Sequence, residues 1–456
     1  MDFKMMLKPY REESIKTLQE FVRINSIHDD STITNKMPFG KGVYDALDFI
    51  ARLGEENGFN VDRCDNYCTE ISFGEGKLIS VFAHADVVPV SGTWKHEPFG
   101  AEIENEIMYG RGTSDDKGPG IAAFYALKAL RDNNLINGYK VSLVFGGNEE
   151  KGGACLDHYF NVMHKPYPKY GFTPDADFPL IYGEKGISGY VHKLNHKIPG
   201  VKSITGGFVR NAVIDEAHAI LEHDGELTRL CSIFFSLCGT KFKVMENDGN
   251  DELIVYGKTA HGSIPQCGVN AGLHLLKFLA WYKNDMLLNK LADSYLETTG
   301  KNLGCFYESE YLHTTTYNVG LMNYEGEELV LYVDFRHPEN CNPREVEKKL
   351  NSLGLGEIKF NGYGEPLLVD PKSKMIQTLL KTYQEETGDY DTPIKTIGGG
   401  TYAKESKNTI AFGSAFPNRN DKIHSPDEEI HISDFITSQS IYARAIYELG
   451  NLDEWD

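Results

Sequence analysis

Apolar residues recur along the chain at two spacings, which predict helices and strands. Residues 12–23 and 43–57 have apolar positions at helical spacing. Residues 79–83 and 140–145 are instead short runs of β-branched, aromatic and other apolar side chains, as in buried strands. Between these runs, residues 121–130 follow a Lys-Gly-Pro-Gly segment and are rich in strong helix formers. The order strand, helix, strand predicts a crossover unit of an α/β sheet.

The pattern changes near residue 186. Apolar and polar residues then alternate in segments that predict half-exposed antiparallel strands, at 190–194, 252–256 and 329–335. Helical spacing is found among these segments, at 213–223, 269–284 and 343–353. This second set of elements predicts a further α/β layer. Near residues 370–371 the chain returns to a long predicted helix, 374–386.

The length of the chain supports two domains. With 456 residues it exceeds the size at which one hydrophobic core usually stops growing. The change of pattern predicts a larger domain formed by residues 1–186 and 371–456. A smaller domain, residues 187–370, is expected to be inserted into it.

Composition and charge narrow the class of protein. The chain is 41% hydrophobic and 25% charged, with 25 Tyr and 24 Phe, which is typical of an ordered globular protein. A formal charge of -20 disfavours nucleic acid and anionic membranes as partners. Residues 1–20 lack the apolar stretch of a signal peptide, no segment has the length of a membrane span, and the eight cysteines suggest reduced thiols. We therefore expect a cytoplasmic protein.

Several nitrogen and oxygen ligands stand next to predicted elements. His84 and the pair Glu149–Glu150 follow predicted strands, and ligands in open α/β sheets gather at such strand ends. The other candidates are Asp115, Asp175 and His424. Two imidazoles with several carboxylates suit Zn²⁺ or a harder ion such as Mn²⁺. The pattern predicts a metal hydrolase.

Each candidate also has a simpler interpretation. A histidine after a strand is commonly a hydrogen-bonded structural residue, and Asp115 and Asp116 could be helix N-caps. The adjacent Glu149 and Glu150 are harder to explain, because two buried carboxylates repel unless cations or protons neutralise them. Three ligand carboxylates and one hydroxide would balance the charge of two divalent ions, so a neutral buried cluster is physically reasonable.

Taken together, the motifs resemble the di-metal aminoacylase/carboxypeptidase superfamily of metallopeptidases, and most closely its bacterial PepV-type dipeptidase branch. The resemblance covers nearly the whole chain. It rests on HADVVP (84–89), YGRGTSDDKGP (109–119), NEEKGG (148–153), TPDADFP (173–179), GEKG (183–186), AHGSIPQCGVNA (260–271) and GGGTYAK (398–404). It implies a mixed-sheet, zinc-peptidase-like catalytic domain with an inserted α/β lid domain.

The resemblance assigns roles around two metal ions. It implies that His84 and Asp175 hold one ion, that Glu150 and His424 hold the other, and that Asp115 bridges the two ions. The Asp115–Asp116 peptide bond is typically cis in this family. Asp86 would accept the second imidazole N–H of His84, which orients a metal-bound ring. Glu149 would act as general base for a hydroxide that bridges the metals, and would then protonate the leaving amine. These roles describe a hydrolase.

Substrate contacts are implied in the lid and in a glycine run. His261 would donate to the oxyanion, and Asn211 and Arg336 would hold the substrate, with Arg336 suited to a C-terminal carboxylate. Gly399 and Gly400 would line the substrate's C-terminal side through backbone N–H groups. From the residues alone, Asn211 and Arg336 could each be surface contacts. His261 could equally be a turn histidine, and the glycine run could be a flexible loop.

The implied function is hydrolysis of short peptides, chiefly dipeptides with a free N-terminus, beneath a closing lid. A deacetylase or desuccinylase acting on N-acyl amino acids would use the same metals, and a non-catalytic binding relative is a third alternative. The enlarged lid of the PepV-type branch occupies the space used for dimerisation elsewhere in the family, which favours a monomer. Zn²⁺ is the first expectation for both ions, with Mn²⁺ as the alternative.

Overall fold

The computed structural model describes residues 1–452, and the chain divides into two compact units. The first unit contains Met1–Gly183, Leu368–Lys395 and the chain from Gly400 onward. The second contains Glu184–Leu367 and Thr396–Gly399. The expected boundaries, after residues 186 and 370, lie near the limits of the longer segment of the second unit. Residues 396–399 differ, because they were expected in the larger domain.

A nine-stranded mixed sheet forms the centre of the first unit. Its strands follow the order Asn60–Asp62, Cys68–Gly74, Tyr139–Gly146, Lys77–His84, Tyr170–Thr173, Thr409–Ala411, Ile181–Glu184 and Leu367–Leu368, with Lys395–Ile397 beside Ile181–Glu184. The strand Lys77–His84 runs parallel to both of its neighbours. Since the carboxyl ends of parallel strands meet at one edge, the residues that follow them are brought together there.

Helices cover this sheet. Those of the first unit are Phe3–Leu7, Arg11–Val22, Lys41–Glu56, Lys117–Asp132, Ala154–Asp157, Lys374–Thr387 and Ile432–Gly450. The helix Lys117–Asp132 is almost wholly buried. A Cβ atom on Gly120 would lie 2.4 Å from the Phe145 ring, so glycine allows this helix to pack closely on the sheet. Within the described residues, no helix combines the length and apolarity needed to cross a membrane.

Short strand pairs complete the first unit. Ala176–Asp177 pairs with Ser414–Ala415. A three-stranded sheet is formed by Glu102–Glu104, Ile107–Tyr109 and Glu429–His431. Because Glu429 lies opposite Tyr109, this sheet joins the segment after His424 to the segment before Asp115.

The second unit is built on an eight-stranded antiparallel sheet. Its strands follow the order Lys241–Asn247, Asn250–Tyr256, Glu216–Glu222, Val201–Gly206, Thr316–Glu325, Glu328–His337, Gly186–Asn195 and Glu357–Phe360. Its helices are Leu227–Cys238, Ala271–Tyr282, Met286–Leu296 and Pro343–Asn351, and a small ladder joins Glu308–Ser309 to His313–Thr314. The unit has its own buried apolar core. The predicted mixed α/β fold class is confirmed.

One predicted helix is wrong. Residues 213–223 have apolar positions that fit helical spacing, but the structure forms the strand Glu216–Glu222 there. Ala217, Ala219 and Leu221 are buried on one face, and the strand pairs on both sides. Tertiary pairing therefore decided between two periodicities that a short segment could satisfy. The helices Leu227–Cys238, Met286–Leu296 and Ile432–Gly450 were not predicted.

Candidate active site

Three strand ends supply most of the candidate ligands in the first unit. His84 is the last residue of its strand and lies opposite Gly146, the last residue of the parallel neighbour. Glu149 and Glu150 follow Gly146 closely, and Asp175 follows the parallel strand on the other side. The sheet topology therefore gathers residues that are far apart in the sequence.

Asp115 lies between two imidazole rings. Its Oδ1 is 2.9 Å from His84 Nε2, and its Oδ2 is 2.9 Å from His424 Nε2. His424 Nε2 also lies 3.2 Å from Glu150 Oε1. The peptide bond from Asp115 to Asp116 is cis, as the resemblance implied. Each carboxylate oxygen of Asp115 thus faces a different imidazole, which is the arrangement expected of a bridging ligand.

His424 reaches this position through an unusual backbone conformation. Its φ is +60°, in the left-handed region that residues other than glycine seldom adopt. Such conformations persist where the surrounding structure holds them, and they concentrate at functional sites. The turn directs the imidazole to the carboxylates of Asp115 and Glu150.

The carboxylate of Asp86 has a different partner from the one expected. His84 Nδ1 donates to the main-chain carbonyl of Asp86 at 2.9 Å, while the carboxylate Oδ1 lies 3.6 Å away. The two carboxylate oxygens instead accept the backbone N–H groups of Glu149 and Glu150, each at 3.1 Å. Asp86 therefore orients the imidazole through its backbone, and its side chain fixes the loop that carries the two glutamates.

Burial and mutual repulsion shift the acidic groups. Burial, followed by the charges of Asp115 and Asp116, raises the pKa of Asp175 well above its usual value. Burial likewise raises the pKa of Glu149 and of Glu150, and nearby carboxylates add to both shifts. Carboxylates that resist ionisation in one another's presence require a compensating positive charge.

The two histidines provide part of that charge. Burial disfavours the charged form of His84, but its hydrogen bond to Asp115 and the surrounding carboxylates raise its pKa well above the usual value. Hydrogen bonds to Asp115 and Glu150 raise the pKa of His424 to about 10. Burial opposes ionisation of Asp115, but hydrogen bonds from His424 and His84 lower the pKa of this carboxyl. The carboxylates around both imidazoles therefore favour positive charge at this place, as a metal-binding site requires.

The donor atoms are close enough to hold cations. Ligand atoms of His84, Glu149 and Asp175 lie within 4.8 Å of one another, as do ligand atoms of His84, Asp115 and Glu150. Imidazole nitrogen and carboxylate oxygen are the donors that Zn²⁺ and Mn²⁺ accept. The site therefore fits divalent metal ions in both chemistry and charge.

Comparisons with known proteins identify the family of this chain. The sequence profile of Peptidase family M20/M25/M40 matches residues 81–448. The chain belongs to this family. A putative dipeptidase of Bacillus subtilis, YtjP, is 37% identical over 99% of this chain and 100% of its own length. A putative dipeptidase of Staphylococcus epidermidis is 32% identical over 98% and 99%, respectively.

A solved structure shares the fold of this M20-family chain. The M20 family metallo-carboxypeptidase Sso-CP2 of Sulfolobus solfataricus covers 96% of this chain and 100% of its own, with a TM-score of 0.61 and 20% identity. The family resemblance inferred from the sequence motifs is confirmed.

In the second unit of this M20-family chain, the segments carrying His261 and Asn211 are tied together. The Gly262 N–H donates to Asn211 O at 2.6 Å, and Ala212 forms a β-bridge with His261. The Ser263 N–H donates to His261 Nδ1, which in a neutral ring leaves the proton on Nε2. The His261 residue itself is exposed.

Arg336 is buried and is not a surface contact. It is 4% exposed, and its Nε and Nη2 both donate to Asp334 Oδ2, at 3.0 and 2.9 Å. Its Nη1 donates to Gly398 O at 2.5 Å. A guanidinium has five N–H donors, and these contacts within the described chain use three of them. Gly399 is partly exposed and Gly400 is exposed.

Four residues near the candidate site have contacts that were not predicted from the sequence. Asp116 occupies the N-cap position, but its side chain makes no capping bond, and its Oδ2 accepts the His84 N–H at 3.2 Å. Asp334 precedes Arg336 by two residues, a spacing that places both on one face of a strand and could have revealed the pair. The buried pair of Arg111 and Glu428 gave no such periodic signal.

Proposed function

We propose that this chain is a cytoplasmic dipeptidase that depends on two divalent metal ions and cleaves short peptides with a free N-terminus. The observation that carries the proposal is Asp115 between His84 and His424, with Glu150 beside the second imidazole. The putative dipeptidases of Bacillus and Staphylococcus support the substrate class.

The proposed ligands divide into two sets that share Asp115. His84 and Asp175 belong to one ion, Glu150 and His424 to the other, and Zn²⁺ is the first candidate for both, with Mn²⁺ second. When bound, such ions polarise a peptide carbonyl and make water more acidic. The raised pKa values of the carboxyls support this assignment, because cations would remove their mutual repulsion.

Glu149 is the proposed general base. Its backbone is held by Asp86, and burial with neighbouring carboxylates gives its carboxyl an affinity for protons. In the proposed reaction it takes a proton from the attacking water and delivers the proton to the leaving amine nitrogen. Asp86 contributes by positioning this glutamate and His84.

Four residues of the second unit, together with Gly400 of the first, have proposed roles in binding substrate. His261 donates from Nε2 to the oxygen of the scissile carbonyl, where negative charge develops. Arg336 binds the C-terminal carboxylate through its terminal nitrogens, and Asn211, Gly399 and Gly400 line the same end of the substrate. The side-chain hydrogen bonds of Arg336 to Asp334 support preorganised binding.

Location and assembly are part of the proposal. All eight cysteines are free thiols, which suits a reducing compartment. The reduced thiols support the proposed cytoplasmic location. The proposal of a monomer rests instead on the enlarged lid of the PepV-type branch, which occupies the space used for dimerisation elsewhere in the family. Cell fractionation tests the first point, and light scattering with the purified protein tests the second.

The deciding experiment is hydrolysis of a defined panel. The purified chain is stripped with a chelator, reloaded with Zn²⁺ or Mn²⁺, and assayed with Ala-Ala, β-Ala-His, N-acetyl and N-succinyl amino acids. We expect metal-restored cleavage of the free dipeptides, and a loss of about 10²- to 10⁴-fold in Glu149→Gln. The matched control is Glu70→Gln, which alters another largely buried glutamate of the first unit.

The alternatives give different results. Cleavage of the N-acyl compounds alone would replace the dipeptidase assignment by an amidohydrolase on the same fold. An equal loss in the Glu149 and Glu70 variants would remove Glu149 from the proposed chemistry. If none of the compounds is hydrolysed after metal loading, the result would favour a binding protein without activity.

A further inference from the structure

Glu428 is a buried carboxylate outside the proposed set of ligands. It is 0% exposed, and its Oε2 accepts Arg111 Nη1 at 2.6 Å. Its other oxygen, Oε1, accepts three backbone N–H groups, from Gly112 at 3.0 Å, Ser114 at 3.1 Å and Asp115 at 3.2 Å. One side chain thus fixes the backbone of the loop that ends in Asp115.

The same residue lies on the segment that carries His424. The backbone carbonyl of Glu428 accepts the Gly110 N–H at 2.9 Å, and the next carbonyl, of Glu429, accepts Ser114 Oγ at 2.7 Å. The His424 side chain is 51% exposed, so packing around the imidazole does little to hold it. The distance between the His424 imidazole and the Asp115 carboxylate therefore depends on the bonds that join the two backbone segments carrying these residues.

The chemistry of this junction requires a carboxylate. Both oxygens of Glu428 face donors, with a guanidinium on one side and three N–H groups on the other. An amide of the same shape has one oxygen and one NH₂ group. Whichever way it turned, its NH₂ group would meet donors, so glutamine would preserve volume while breaking one half of the junction.

We propose that Glu428 is a positioning residue that sets the spacing between Asp115 and His424, and thereby the affinity of the centre for its metals. This inference rests on the proposed function, since it assumes that both residues are ligands. Partners that orient metal ligands typically change metal affinity by about 10- to 100-fold when they are removed.

The test is a comparison of Glu428→Gln with Glu70→Gln. Glu70 is also a largely buried glutamate of the first unit with a cationic partner, Lys165 Nζ at 2.7 Å. Within the described residues, its hydrogen bonds and ion pairs involve none of the proposed metal ligands. Zn²⁺ affinity is measured by competition with a chromophoric chelator, and the visible spectrum of Co²⁺-loaded protein reports ligand geometry. Melting temperatures without metal report general loss of stability.

We expect Glu428→Gln to bind Zn²⁺ about 10- to 100-fold more weakly and to change the Co²⁺ spectrum. Glu70→Gln should keep both properties whatever its melting temperature. Unchanged Zn²⁺ affinity and spectrum in Glu428→Gln would overturn the inference, and so would an equal loss of affinity in Glu70→Gln.

Two further measurements separate the remaining outcomes. If Glu428→Gln does not fold, Glu428→Asp keeps the charge but is one methylene shorter and cannot keep both sets of contacts, and unchanged Zn²⁺ affinity in that variant would overturn the inference. Wild-type protein that binds no Zn²⁺, Mn²⁺ or Co²⁺ would overturn the proposed function itself. Wild-type binding with no effect of these substitutions would refute the role of Glu428 alone.

Discussion

Replacement of Asp334 by alanine tests how the second unit supports Arg336. The Arg336 side chain is 5% exposed and that of Asp334 is 4% exposed, so both charges are shielded from water. One carboxylate oxygen accepts two guanidinium N–H groups. Without the Asp334 carboxylate, Arg336 would keep its hydrogen bond to Gly398 O but lose the negative charge that neutralises it.

The magnitude follows from that burial. Removing one partner of a buried ion pair costs about 3–5 kcal/mol, because the other charge stays buried and uncompensated. For a unit of this size, each kcal/mol lowers the melting temperature by about 2–4 °C. Asp334→Ala should therefore lower the unfolding transition of the second unit by roughly 6–20 °C.

The same strand provides a matched control. Glu328 pairs with Lys193 at 3.2 Å, but their side chains are 42% and 48% exposed. Glu328→Ala should cost about 0–1 kcal/mol, since exposed pairs are weak. Calorimetry and urea unfolding compare the two variants.

A third variant isolates the uncompensated charge. Adding Arg336→Met to Asp334→Ala should recover part of the lost stability, because no unpaired charge then stays buried. Equal losses in the Asp334 and Glu328 variants, or no recovery in the double variant, would refute this account of the pair.

Three other predictions follow from the same structure. His261→Ala should lower kcat by about 10²- to 10³-fold while the metal content, measured by atomic emission, stays unchanged; near-normal kcat would remove His261 from the mechanism. Burial, followed by the charge of Arg336, lowers the pKa of Lys185 to about 8. The folded state therefore binds the Lys185 proton less tightly than the unfolded state, so the free energy of unfolding should rise with pH between about 8 and 10.5. Urea unfolding at a series of pH values should show a smaller rise in Lys185→Met. Addition of Zn²⁺ at 100 times its dissociation constant should stabilise the protein by about 2.7 kcal/mol per site in differential scanning fluorimetry, and His424→Ala should reduce that gain; equal gains would exclude His424 as a ligand.

The sequence predicted the fold best where one periodicity extended over a long segment. The helices Arg11–Val22 and Lys41–Glu56 and the strand Lys77–His84 all contain their predicted segments or nearly so. It failed at residues 213–223, where a short segment satisfied both helical and strand spacing. Pairing with two neighbouring strands decided between them, and that choice depends on residues elsewhere in the chain.

Part of the candidate site was also accessible from sequence. His84, Asp115, Glu150 and His424 were named from motifs, and the structure brings their side chains within hydrogen-bonding distance of one another in the pairs described above. The partner of the Asp86 carboxylate was missed, because the local motif does not show that the backbone of Glu149 lies beside it. Arg111 and Glu428 were missed for a related reason, since an ion pair between distant segments has no periodic signature.

By itself, the sequence determined which chemical groups are available and which strand ends carry them, because side-chain identity and short-range spacing are local properties. It thereby determined membership of a peptidase family, whose motifs are combinations of such groups. Only the tertiary structure decided which acceptor each buried donor meets: the Asp86 carbonyl for His84, Asp334 for Arg336, and Glu428 for the loop before Asp115. Hydrogen bonds and ion pairs form over a few ångströms of space irrespective of separation along the chain, so these partners exist only once the sheets have aligned their strands.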